Sequence, residues 1–206
     1  MLVETDALGE YLDSIPVGHR RPRFQALASA MLSAGRPIWI LETGCMRQSQ
    51  VDGPEADGCS TLVWNYVAEQ TKGKLVTVDV DPKNVEYTKT KVSSRYADVI
   101  HCDSVYFLTN LREIAQPFDL AYLDSMDFEG TEIQRGLSSL HHVAELAAAW
   151  SWLANGALIA VDDCMGAYAG KHGMVKRFFD SINVAPLCDD YIHVWRKPEL
   201  REPISI

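Results

Sequence analysis

Seven carboxylates stand where an α/β sequence does its chemistry: Glu42, Asp79, Asp81, Asp103, Asp124, Asp162 and Asp163 close or directly follow short apolar runs. In an open parallel sheet such ends share one edge, and ligands bind beyond it. A single Asp there is equally well explained as the cap of the next helix. Seven together repel one another unless a cation, a hydroxyl-rich ligand or a positively charged cofactor offsets them. His141 and His142 could add a base. A helix over about 139–154 would return antiparallel to the fourth run, placing both histidines in its first turn at the ligand edge. The positive end of its dipole favours neutral imidazole, the form a general base needs. Glu145, four residues after His141 and three after His142, offers the plainer alternative of a surface pair. His19, His101, His172 and His193 have no partner legible in sequence. Lys171 and His172 lie in the Gly-rich segment after the fifth run, where an acceptor pocket would be built, though loop polarity explains them as well.

These residues need elements to position them. PIWILETG (37–44), KLVTVDVD (74–81), PFDLAYLD (117–124) and GALIAVDD (156–163) are near-continuous apolar runs, as expected of strands covered on both faces. Helix-like stretches lie between them at 60–72, at 82–95 (opening with Pro82), at 104–115 and at about 139–154. The alternation predicts one α/β domain with a doubly wound, mostly parallel Rossmann-like sheet and helices on both faces. It spans 1–206: an N-terminal helical region (1–36), a core (37–165), and a C-terminal helix and hairpin (166–206). The tail NVAPLCDDYIHVWRKP (183–198) reads as two short strands turning at Asp189-Asp190, which would add an antiparallel strand to the sheet edge. Trp39, Trp64, Tyr66, Trp150 and Trp152 read as core or interface.

Composition removes several functions. The chain has 206 residues, 47% hydrophobic and 23% charged, with 19 Lys+Arg against 28 Asp+Glu for a net charge of −9. A chain of this size buries roughly 70% of the surface it exposes when unfolded, so it needs no disulfide staples. Its five cysteines show no CxxC or zinc-finger spacing and read as reduced thiols of a cytoplasmic protein. The first residues lack a signal peptide's basic start, and the most apolar window, 146–161, is broken by Asn155-Gly156, so no membrane partner is expected. The acidic balance also disfavours nucleic acid. Self-association is left open.

The first loop, ETGCMRQSQVDGPEADGCST (42–61), lacks a GxGxxG fingerprint, because Gly44 is followed only by Gly53 and Gly58. A ribose-bearing ligand without a pyrophosphate fits best, with Asp79 placed for ribose hydroxyls. The ordered set ETG, GCST, VDVDP, CDS (102–104), LDS (123–125) and VDD (161–163) resembles the class I S-adenosylmethionine-dependent methyltransferases over about 37–165. The resemblance implies that Glu42, Thr43 and Gly44, with Gly58, Ser60 and Thr61, surround the methionine part of S-adenosylmethionine. It places Asp79 on the ribose, Val80 on the adenine, Asp103 and Ser104 near the adenine edge, and Asp124 and Ser125 beside the sulfonium. The chain departs from the family at residues 45–57, where further glycines are usual. That polar loop reads as a lid, with Arg47 reaching a carboxylate or, equally, solvent.

Methyl transfer is an in-line displacement, and a divalent metal can make a hydroxyl acceptor nucleophilic. Asp124 and Asp162-Asp163 end runs expected to be adjacent, about 4.8 Å apart, so the three could hold Mg²⁺ or Ca²⁺. VDD resembles the metal-binding pair of the catechol-type O-methyltransferases, with Asp in place of Asn. Their lysine base, three residues after the first aspartate, is replaced here by Asp127, leaving His141, His142 or Asp127 for that role. The expectation is therefore metal-assisted methylation of a small-molecule hydroxyl. A nicotinamide-dependent oxidoreductase, disfavoured by the first loop, and a non-catalytic cofactor-binding module are the alternatives. A nucleic-acid N-methylating enzyme would carry [DN]PP[YF] where this chain reads LDSMDF.

Overall fold

The computed structural model describes residues 3–49, 58–128 and 130–199, with side chains from residue 7 onward. Its elements are α1 (Val3–Asp13), α2 (Arg21–Leu32), β1 (Trp39–Thr43), α3 (Ser60–Thr71), β2 (Lys74–Asp79), α4 (Pro82–Lys89), β3 (Ala97–His101), α5 (Ser104–Asn110), β4 (Phe118–Leu123) and α6 (Glu132–Ala149). They continue with β5 (Leu153–Val161), β6 (Cys164–Met165), β7 (Ala169–Gly170), α7 (Gly173–Ser181), β8 (Cys188–Asp189) and β9 (His193–Arg196). A short 3₁₀ turn, Gly18–Arg20, leads into α2.

Seven strands form one sheet in the order β3-β2-β1-β4-β5-β9-β8. The first five are parallel, and β9 joins β5 antiparallel with Leu158 opposite Arg196 and Val161 opposite His193. This is the expected doubly wound, Rossmann-like sheet with its terminal hairpin. The order reverses between β1 and β4, so their C-terminal ends form the switch point at which such sheets bind ligands. A small hairpin, β6 with β7, was not foreseen. Among the described residues, no helix is long and apolar enough to cross a membrane.

Apolar side chains fill both sides of the sheet. On one side Phe24 of α2 and Trp64 of α3 meet Tyr122 of β4, with ring centroids 5.2–5.9 Å apart. On the other, α5, α6 and α7 cover Leu41, Ala121 and Ile159, and Phe179 stacks on Trp195 at 5.1 Å. Burial of these aromatics supplies much of the area that offsets chain entropy.

Helix ends differ from expectation for local reasons. Helix α6 starts at Glu132, not near 139, because Thr131 and Gln134 form a capping box: the Gln134 N–H donates to Thr131 Oγ1 (3.2 Å) and the Thr131 N–H to Gln134 Oε1 (3.3 Å). His141 and His142 therefore lie in the middle of the helix, beyond the reach of its N-terminal dipole. Helix α4 stops at Lys89, where Thr90 Oγ1 donates to the Tyr87 carbonyl (2.6 Å); α5 stops at Asn110, whose side chain donates to the Tyr106 carbonyl (2.8 Å). Such local bonds compete with helix continuation.

The turn from α3 into β2 tolerates only glycine. A Cβ on Gly73 would lie 1.8 Å from the Ile38 carbonyl oxygen, in backbone with no room to retreat. Gly73→Ala is expected to lower stability by at least about 1–3 kcal/mol, the usual cost of overpacking, read as a lower urea midpoint.

Candidate active site

At the switch point the chain leaves β1 through Gly44, whose N–H donates to the Val78 carbonyl (2.8 Å). Gly44 has φ +82°, and a Cβ there would meet the Asp124 carbonyl oxygen at 2.5 Å, so both conformation and space demand glycine. The following amides are claimed in turn: Cys45 N–H donates to Asp79 (3.0 Å) and Met46 N–H to Thr61 Oγ1 (3.0 Å). Asp79 also accepts from the Asp81 N–H (2.7 Å). The first loop is thus tied down by side chains of β2 and α3. Residues 50–57 of the proposed lid lie outside the described residues.

Glu42 lies beneath this loop. It is fully buried and accepts from Ser60 Oγ (2.6 Å), Thr61 Oγ1 (2.8 Å) and Thr77 Oγ1 (2.6 Å). Burial pushes its carboxyl up to about 7, against the pull of those three hydroxyls. Glu42 therefore positions the loop and α3 from below.

The cavity at this edge is about 150 Å³ and is lined by, among others, Gly44, Ser60, Asp79, Val80, Asp124, Ser125 and Asp127. Ligand pockets commonly run to about 300–1,000 Å³. Arg47 narrows this one by pairing with Asp127 (2.7 Å), each side chain about half exposed. Val80 is 68% exposed, which suits it to cover a planar ring. Ser125 Oγ is buried without a hydrogen-bond partner among the described residues, a polar atom available to a ligand. A larger cavity of about 750 Å³ opens among Arg36, Trp39 and Asp119, at the start of β1 and β4 and away from these groups.

The remaining expected cofactor residues divide. Asp103 accepts from the Tyr106 N–H (2.8 Å) and Asp81 from the Lys83 N–H (2.8 Å), so these two acids are helix caps. Thr43 and Ser104 donate to Glu145, Thr43 at 3.1 Å. Thr61 is fully buried beside Glu42 and Gly58 is buried, and neither lines the cavity.

The expected metal trio does not converge. Asp162 is buried and taken by Arg20 Nε (2.7 Å) and the Tyr122 hydroxyl (2.6 Å). The carboxylates that come together, with oxygens within 4.8 Å of one another, belong to Asp124, Asp127 and Asp163. Among them sits the fully buried ammonium of Lys171, paired with Asp124, with Asp127 (2.9 Å) and with Asp163 (2.8 Å). Arg20 also reaches Asp163 (2.9 Å), which further accepts from the Tyr191 hydroxyl. Burial opposes ionisation of Asp163, but Lys171, Tyr191 and Arg20 outweigh it and hold the carboxyl at about 2. Burial likewise disfavours charge on Lys171, and its three carboxylates overcome this, so the ammonium keeps its proton.

The two candidate histidines sit apart from the cavity wall. His141 contacts Ser104 Oγ (3.2 Å) and Glu145 (3.2 Å), and that hydrogen bond to Glu145 raises its pKa, which favours the protonated ring. His142 is fully buried with Nδ1 placed to donate to the Ser138 carbonyl (2.7 Å), and burial lowers its pKa to about 4. Of the three expected catalytic residues only Asp127 lines the cavity. Arg20, and the pairing of Lys171 with three acids where only an acceptor contact was expected of it, were missed; the available signal was that so many acids on one edge demand compensating charge.

Sequence comparison decides the family: one described as a methyltransferase domain matches residues 56–164, more than half of the chain. The chain belongs to this methyltransferase family. No curated protein sequence matches it. Its fold is shared with cofactor-bound Rv0187 from MTB (TM-score 0.59, 17% identity, 97% of this chain and 90% of that one). It is also shared with the O-methyltransferase TomG from Streptomyces achromogenes in complex with SAM (0.57, 15%, 96% and 89%). A third similar structure is the methyltransferase MycE of the mycinamycin biosynthetic pathway, with Mg, SAH and mycinamycin VI (0.61, 16%, 90%), of which the chain spans about half, 51%. The motif order that pointed to class I methyltransferases is borne out, and in this methyltransferase Glu42 and Asp79 organise the first loop.

The raised pKa of Glu42 has a definite sign. Between about pH 4.5 and 7 the unfolded chain ionises Glu42 while the native state retains the proton, so stability falls as pH rises and levels off above about 7. Glu42→Gln removes this dependence. Its urea-unfolding free energy relative to wild type should rise between pH 4.5 and 7.5 by on the order of 3 kcal/mol.

Proposed function

We propose that this methyltransferase uses S-adenosylmethionine to methylate a hydroxyl of a small molecule. The observation that carries the reading is the acid-lined cavity at the switch point, where Asp79, Val80, Asp124 and unpartnered Ser125 Oγ surround one space. These groups fit the cofactor's chemistry: carboxylates for ribose hydroxyls and a sulfonium, an exposed apolar side chain for adenine, and a hydroxyl for the amino-acid portion. The bound cofactor would supply a methyl group activated by positive sulfur. The chain's own task is then to align the acceptor and exclude water.

Asp127 is the residue for the acceptor hydroxyl, because it faces the cavity and is half exposed. Lys171 and Arg47 together hold its pKa down, outweighing burial, which keeps it a weak base while Arg47 stays paired. When Arg47 swings away to admit ligands, Asp127 loses one of two cations and gains basicity, so opening of the site and activation of its base are linked. Lys171 neutralises Asp124 and Asp163 from behind and keeps this edge from repelling itself apart.

The carboxylates of Asp124, Asp127 and Asp163 are hard donors suited to Mg²⁺ or Ca²⁺, the basis for a metal-assisted reading. As arranged they hold an ammonium where the ion would bind, and no step here passes through a metal.

Isothermal titration with S-adenosylhomocysteine is expected to show one site, weakened at least tenfold in Asp79→Ala; no binding at millimolar ligand would overturn the cofactor assignment. Turnover of a hydroxyl acceptor, found by mass-spectrometric screening for added methyl groups, is expected to survive EDTA. Loss of activity in EDTA and its return with Mg²⁺ would favour the metal-assisted reading, with Lys171 displaced.

A further inference from the structure

One residue beyond Asp163 and one beyond Lys171, the side chains change from hard carboxylates to softer ligands. Cys164 opens β6, where it pairs with Gly170 of β7. His172 follows this hairpin and leads into α7, while His193 opens β9 opposite Val161. The Cys164 N–H donates to the Tyr191 carbonyl (2.9 Å), tying the hairpin to the segment before β9. The two ends of one hairpin and the start of β9 thus bring one thiol and two imidazoles together. A ligand atom of each lies within 4.8 Å of the others, and all three residues are buried, at 5%, 0% and 4% exposure.

The hydrogen bonding of this cluster is incomplete. Among the described residues, neither ring nitrogen of His172 has a hydrogen-bond partner, nor does Nδ1 of His193, and the rings pack with centroids 4.1 Å apart. The Ala167 and Gly166 carbonyls lie close enough to favour a protonated His172 ring, but neither closes a hydrogen bond with it. The Cys164 thiol donates to the Val161 carbonyl (3.1 Å). Buried imidazoles without partners are unusual in a native core, and a bound ion is one of the things that accounts for them.

We propose that Cys164, His172 and His193 form a buried zinc site that clamps the β6–β7 hairpin to β9 and thereby fixes Lys171 and Asp163. One thiolate and two imidazoles suit Zn²⁺, whereas the carboxylates next door suit Mg²⁺ or Ca²⁺, so the two clusters differ in the metal they select. On binding, the thiol proton leaves to solvent, a sulfur–zinc bond forms, and each imidazole donates a lone pair. Water completes four-coordination. Zinc bond lengths put ligand atoms about 3.5 Å apart, so the side chains close by roughly an ångström, within reach of small torsional changes. Because Cys164 adjoins Asp163 and His172 adjoins Lys171, the ion would hold both partners of the buried ion pair at fixed backbone positions.

The test is a Co²⁺ titration of the full chain, stripped with chelator and kept reduced, followed by absorbance. One equivalent is expected to give tetrahedral d–d bands and a near-ultraviolet thiolate-to-cobalt charge-transfer band, both bleached by one equivalent of Zn²⁺. Asp163→Asn should keep the charge-transfer band and Cys164→Ser should lose it. Absence of that band in the wild type, or its survival in Cys164→Ser, overturns the proposal. Should Cys164→Ser not fold, competition against a chromophoric chelator decides: His193→Gln is expected to weaken Zn²⁺ binding at least tenfold, and unchanged affinity overturns the site.

Discussion

Neutralising the carboxylates crowded at the ends of β4 and β5 is the constraint on which the rest of the structure depends. Asp162 is buried, Asp124 and Asp163 are partly buried and Asp127 stands at the rim, and so many acids on one edge cannot stand uncompensated. Two cations from outside the central βαβ units resolve it. Arg20 comes from the turn before α2, and Lys171 from the junction of β7 and α7. The N-terminal helices and the small hairpin are therefore more than cover for apolar faces: each delivers a charge to the ligand edge. Breaking a buried pair of this kind typically costs about 3–5 kcal/mol, because the orphaned partner remains buried.

A second device acts on the first loop. The residues after Gly44 are held by hydrogen bonds from below and behind. Glu42 takes three hydroxyls from α3 and β2, Asp79 and Thr61 take the amides of residues 45 and 46, and Thr88 Oγ1 donates to the Met46 carbonyl (3.1 Å). Arg47, the next residue, is then poised over Asp127. The same backbone that lines the cavity thus sets the position of the arginine that narrows it, coupling loop geometry to the surroundings of Asp127.

Much of the fold was legible because it depends on local pattern. Apolar runs ending in acids, Pro82 at a helix start and alternating strands and helices point to a parallel doubly wound sheet whatever their partners. The motif order from ETG to VDD likewise pointed to the methyltransferase family, and the acids did gather on one edge. The start of α6 was also open to reading, since Thr131 and Gln134 carry a capping box, and it moves His141 and His142 from the first helical turn to the middle. The mouth of the first loop was readable from Gly44, whose need for glycine arises from neighbouring backbone.

The sequence by itself determined the strand order's ingredients, the acidic ligand edge and the family, because these rest on residue types at short spacing. Only the tertiary structure decided which acids meet. Asp162 and Asp163 are neighbours in the chain, yet one turns inward to Arg20 and Tyr122 while the other joins Asp124, Asp127 and Lys171. Arg20, which reaches both, lies 142 residues from Asp162, and Lys171 lies eight residues from Asp163. Pairing across such distances is set by packing and charge compensation among elements, and no periodicity records it.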